Sequence, residues 1–185
     1  MVCEMIFLLL CCAILWVASG QSSVHKSGVQ RDVSFSSLAA AGCVLCYETS
    51  EESATKSKDI MSCSGPSLFI GTQKFDGSVL EVGAIAPAAI IQTEAARNRP
   101  RLSNGVYWHF ERSCSFGFSA TEHHQKSFRI NDRKSADSTS YDVLWSIDQS
   151  TGCPLINKIG KLLLRAPSIM NSRNYVYNCP GPHHK

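Results

Sequence analysis

The sequence predicts an all-β fold: a disulfide-stapled β-sandwich or barrel of about eight short strands, with room for one short helix. Three observations carry this expectation. Short apolar runs recur between turn residues from Cys43 onward. Six cysteines remain once an N-terminal leader is set aside. The composition, 44% hydrophobic and 18% charged with 12 Gly and 7 Pro, is that of a globular domain rather than a disordered, collagenous, coiled-coil or multi-span membrane chain. A length of 185 residues suits one domain, or at most one plus an appendage.

Residues 1–20 read as a secretory signal. Residues 6–18 form an unbroken apolar run, too short for a helix to cross a hydrocarbon core of about 30 Å. Ala18 and Gly20 stand at the −3 and −1 positions of a cut before Gln21. The segment ahead of the run has no Lys or Arg and carries Glu4, which departs from the usual signal pattern. Residues 21–42 are polar and aperiodic, a loose N-terminal arm leading into the first strand at Cys43. Residues 43–180 then make a single extracellular β domain, and residues 181–185 a flexible tail.

Within that domain, Leu68, Phe69 and Ile70 are separated from Val79, Leu80 and Val82 by Asp76-Gly77, a strong hairpin signal. Val106, Trp108 and Phe110 alternate with Tyr107 and His109. Phe116 and Phe118 flank Gly117, Val143 and Trp145 alternate with Leu144, and Val176 lies between Tyr175 and Tyr177. Two stretches stay open between helix and strand. In residues 84–97, Pro87 suits a first helical turn, whereas Ile90-Ile91 favours a strand. In residues 157–165, a turn capped by Asn157 competes with a strand built on residues 162–164.

Signal removal takes Cys3, Cys11 and Cys12, leaving Cys43, Cys46, Cys63, Cys114, Cys153 and Cys179 as disulfide candidates of unknown pairing. Cys43-Val-Leu-Cys46 has the spacing of a redox motif, but its bulky apolar interior and strand-like setting do not open a helix, where the dipole would lower a thiol pKa. A zinc site would need a second ligand pair at matching spacing; His123-His124 and His183-His184 are adjacent residues and do not supply it. Cys43 and Cys46 are therefore expected in two separate structural bridges.

The most distinctive segment for function is Asn104-Gly105-Val106-Tyr107-Trp108-His109. A turn opens it and three rings follow, and aromatic rings beside polar groups can hold a sugar. Alternation sends Trp108 into the core and leaves Tyr107 and His109 as the candidate binding residues. Asp132, Asp137, Asp142 and Asp148 lack the spacing of a calcium loop. Arg97, Arg99 and Arg101 suit a solvated turn, and a Glu111–Asp142 acid/base pair has no motif behind it. No nucleophile elbow, zinc-protease helix, phosphate loop or N-glycosylation sequon is present.

A net charge of +3 without a basic block gives nucleic acid no compositional support. The expectation is a secreted extracellular binding module for a glycan or a cell-surface or matrix protein, with no cofactor, no metal and no membrane span after signal cleavage. A secreted hydrolase with an unrecognised acid/base site is the alternative, followed by a structural or defensive secreted protein.

Overall fold

The computed structural model describes residues 23–50, 57–74, 77–95, 99–111, 115–121, 143–146, 158–159 and 172–181. The fold is all-β. One sheet consists of β1 (Gln30–Ser34), β2 (Val44–Ser50), β3 (Ser67–Lys74), β4 (Val79–Pro87) and β10 (Ser172–Cys179), in the order β1-β4-β3-β10-β2. The other runs in sequence order through β5 (Arg101–Ser103), β6 (Val106–Glu111), β7 (Ser115–Ser119), β8 (Val143–Ser146) and β9 (Lys158–Ile159). Among the described residues every pairing is antiparallel, and both sheets are open rather than closed into a barrel.

One core joins the two sheets. Leu68, Ile70, Val82, Ala84 and Val176 from the first pack with Val106, Trp108, Phe110, Phe116, Phe118 and Val143 from the second. Trp108 lies 5.0 Å from the Phe118 ring and donates its indole N–H to the Ser103 carbonyl, so it is the core residue that alternation predicts. These are the facing layers of a sandwich.

The far face of the first sheet carries a second core. Phe69, Leu80, Ile85, Tyr175 and Tyr177 are covered there by Val24, Val33 and Leu38. The N-terminal segment is thus part of the fold and not a loose arm, and the first strand begins at Gln30, well before Cys43. Helix α1 (Phe35–Ala40) starts at Ser34, whose Oγ accepts from the Ser37 N–H. It ends in a Schellman turn: Gly42, at φ +75°, donates to the Ala39 carbonyl, and Cys43 donates to the Leu38 carbonyl. That reversal delivers Cys43 to the edge of the sheet.

Cys43 bonds Cys179, and Cys46 bonds Cys63. The two bridges are separate because residues three apart on extended chain face opposite sides of the sheet, and a bulge follows at the second cysteine. Tyr177 pairs with Leu45 but Val176 pairs with Tyr47, so Cys46 is the extra residue. Cys43 joins the far-face core and Cys46 the inter-sheet core, where the bulge sets Tyr47 on the same side as Cys46. Helix α2 (Ser57–Met61) presents Ile60 and leads to Cys63 within the same inter-sheet core.

The open stretch at residues 84–97 combines both readings: β4 runs through Pro87, and α3 (Ala88–Ile91) follows, with Pro87 as its N-cap rather than its first residue. Gln92 then donates through Nε2 to the Ile60 and Cys63 carbonyls, tying α3 to the disulfide. In residues 157–165 the described part, Lys158–Ile159, is strand.

Candidate cleft beside the first strand

The predicted binding strand is β6. Tyr107 is half-buried, paired with the exposed Leu102 of β5 on one side and with buried Ser119 of β7 on the other. His109 departs from expectation. It is 1% exposed and lies directly across from Gly117, so it is not a surface residue. Period two identifies which side of a strand a residue faces, but not whether that side is covered. The structure therefore leaves Tyr107 alone of the predicted pair within reach of a ligand.

A second polar arrangement lies on the first sheet. Thr49, Asn174 and Thr72 stand in one row across β2, β10 and β3, all buried, with Thr72 Oγ1 donating to Asn174 Oδ1 at 3.2 Å. On the opposite face the Tyr175 hydroxyl donates to Gln73 Oε1 at 2.6 Å. Burial, reinforced by the Glu48 charge, holds the Tyr175 hydroxyl above its ordinary pKa. Burial also pushes the neighbouring Tyr177 hydroxyl up to about 12. The Thr72–Asn174 and Tyr175–Gln73 bonds hold neighbouring strands together.

A cleft of about 290 Å³ lies beside β1, lined by Lys26, Ser27, Val29, Gln30, Arg31, Asp32, Val33, Ser34 and Ser37. Its walls follow from local structure. Gln30 donates through Nε2 to the Val24 and Lys26 carbonyls, which curls the segment ahead of β1. The Asn104-Gly105 turn, with φ of +50° and +70°, links β5 to β6 as a two-residue hairpin and anchors that curl. Its Asn104 carbonyl accepts from the Gly28 N–H at 2.7 Å and from Ser27 Oγ at 3.0 Å. Asn104 Nδ2 donates to the Lys26 and Ile85 carbonyls. The predicted turn is present, and it also fastens one sheet to the other.

Asp32 sits in β1 at φ +53°, a left-handed conformation that costs most residues about 1–2 kcal/mol and Asp less. The reason is visible on β4. Val82 points into the inter-sheet core but Leu80, two residues away, belongs to the far-face core, so the strand changes face between them. Their β1 partners are Arg31 and Val33, and Asp32 is the residue between. The kink that redirects Val33 thus leaves an exposed carboxylate at the cleft wall. Among the described residues, neither the Lys26 ammonium nor the Asp32 carboxylate makes an ion pair.

Of the remaining sequence candidates, the signal segment, Arg97, Cys114, Cys153, His123, His124, Asp132, Asp137, Asp142, Asp148, His183 and His184 lie outside the described residues. Among the described residues, no His, Cys, Asp or Glu cluster could hold a metal ion, and no helix is long and apolar enough to cross a membrane. The cleft was not legible because its lining comes from a segment with almost no apolar pattern; the one available signal was the run Ser34 to Ser37, a cap followed by a short helix. No family model matches the chain, and comparison with curated proteins and with solved structures gives no match.

Proposed function

We propose that this chain is a secreted extracellular binding module that takes a polar ligand of single-sugar size in the cleft beside β1. The cleft itself carries the reading. Its volume of about 290 Å³ lies at the lower end of ligand pockets, and seven of its nine lining residues are polar or charged. Two disulfides and a two-sheet core support the extracellular setting, since such bridges persist where thiols are oxidised. The partner class is a glycan, free or displayed on a cell-surface or matrix protein.

The test has two parts. Protein recovered from the medium of a eukaryotic host should have the intact mass of a chain starting at Gln21; retention in the cell would sink the secreted reading. That protein should then retain saccharides on a glycan array, with Tyr107→Ala binding as wild type does. Loss of binding in Tyr107→Ala, with the fold intact, would move the site to the outer face of β6. Silence across the array would overturn the glycan reading.

A further inference from the structure

The turn that fastens the curl ahead of β1 has both of its residues fixed by their surroundings. Asn104 accepts φ +50°, and its Nδ2 donates to the Lys26 carbonyl at 3.3 Å and to the Ile85 carbonyl of β4 at 3.1 Å. Gly105 stands at φ +70°, and a Cβ there would lie 2.6 Å from Ser27 Oγ, so no side chain fits between turn and curl. Asparagine followed by glycine has a chemistry of its own, because glycine has no side chain to shield its backbone nitrogen. The Gly105 nitrogen can attack Asn104 Cγ, forming a C–N bond and closing a five-membered imide as Nδ2 leaves in ammonia. Water then opens the imide at one of its two carbonyls, giving aspartate or isoaspartate at this position.

The fold holds that reaction off. The amide under attack is pinned by two carbonyls from outside the turn, so ring closure requires both bonds to break and the curl to lift. Once the reaction has run, the bonds cannot re-form. A carboxylate has no proton to give the Lys26 and Ile85 carbonyls and repels both. Isoaspartate also adds a backbone carbon to a two-residue turn, which sets Ser103 opposite Val106 and Leu102 opposite Tyr107. We infer that Asn104 is a deamidation site that works as a one-way latch: lifting of the curl exposes it to cyclisation, and the resulting carboxylate keeps the curl lifted. The cleft wall at Lys26 and Ser27 loosens with it, whatever the cleft binds.

The full-length protein with its disulfides formed is incubated at mildly alkaline pH beside a sample unfolded in guanidinium chloride. Peptide mapping follows the gain of about 1 Da on the fragment that holds position 104. The unfolded sample should convert at least about tenfold faster, since two hydrogen bonds must open in the folded one. Ser27→Ala removes the bond from Ser27 Oγ to the Asn104 carbonyl, leaves the turn sequence intact and should speed conversion of the folded protein severalfold. Equal rates in folded and unfolded samples, or no acceleration in Ser27→Ala, would overturn the gating. Hydrogen exchange reads the other half of the inference. The Gly28 N–H, which donates to the Asn104 carbonyl at 2.7 Å, should lose protection in the converted protein and in Asn104→Asp, while the amides of β3 and β10 keep theirs. Protection retained at Gly28 would overturn the latch, and so would protection lost throughout, which is unfolding rather than local release.

Discussion

Gly83→Ala is a change of one methyl group that the structure expects to be severe. Gly83 of β4 stands directly across from Gly71 of β3, and the Phe69 ring lies over the pair. A Cβ on Gly83 would sit 2.4 Å from Phe69 Cζ, 2.6 Å from Cε1 and 3.1 Å from the Ile70 carbonyl oxygen. Carbon atoms pack at about 3.5–4.0 Å, so the ring would have to retreat by more than about 1 Å. Retreat is obstructed because Phe69 is fully buried in the far-face core with Leu80, Ile85 and Tyr175. Overpacking of a dense core costs about 1–3 kcal/mol, and a clash with an immobile ring belongs at the upper end. The expected loss is about 2–3 kcal/mol, which in a domain of this size lowers Tm by about 5–10 °C. Urea denaturation followed by tryptophan fluorescence measures it. Phe69→Leu, which removes the obstructing atoms, should cost less in the Gly83→Ala background than in wild type. A Gly83→Ala variant within about 0.5 kcal/mol of wild type would refute the reasoning, as would strict additivity of the two changes.

Three further outcomes are expected. Asn104→Ala removes two hydrogen bonds and places a less tolerant residue at φ +50°, for a loss of about 2 kcal/mol; Asn104→Gly, which accepts the angle, should lose only part of that in the same denaturation assay. Replacing Cys43 and Cys179 by Ala opens a loop of 136 residues, and replacing Cys46 and Cys63 opens one of 17, so chain entropy ranks the losses at about 5 and about 3 kcal/mol. Calorimetric melting that reversed the order would show that local packing dominates. Tyr177, held at about 12, binds its proton more tightly folded than unfolded. Its contribution should be complete below about pH 10, where the free side chain titrates, and fall as pH rises toward 12. Tyr177→Phe should flatten denaturation curves over that window.

Strands whose inward residues are apolar were legible from the sequence. The runs ending at Ile70, beginning at Val79 and flanking Gly117 all lie where alternation puts them, and Asn104-Gly105 forms the expected tight turn. The separate fates of Cys43 and Cys46 were also readable from residue type and strand setting, though not the bulge that sets Tyr47 on the same side as Cys46. The first strand was not: of Gln30–Ser34 only Val33 is apolar, because β1 is an edge strand that buries one side chain and is kinked at Asp32. His109 departs from alternation for a different reason. Alternation assumes one solvated face, and in β6 three consecutive residues, Trp108 to Phe110, are buried. The cleft followed β1 into invisibility, since its lining is set by hydrogen bonds from a polar segment to a turn some seventy-five residues away.

The strand order has a bearing on how the chain is assembled and how it can vary. The last strand, β10, is interior to the first sheet, between β2 and β3, and Cys179 at its end bonds Cys43, the residue just ahead of β2. A ribosome-bound chain lacking β10 would display the facing edges of β2 and β3 unpaired, an invitation to aggregation that ends only when β10 has been made and inserted between them. By the same topology, everything from α3 to β9 is a parenthesis opened after β4 and closed at Ser172. Evolution could lengthen or shorten the connections within that parenthesis without re-registering the first sheet, provided that its strands still cover the inter-sheet core and the Asn104 turn still meets the clasp at Lys26 to Gly28.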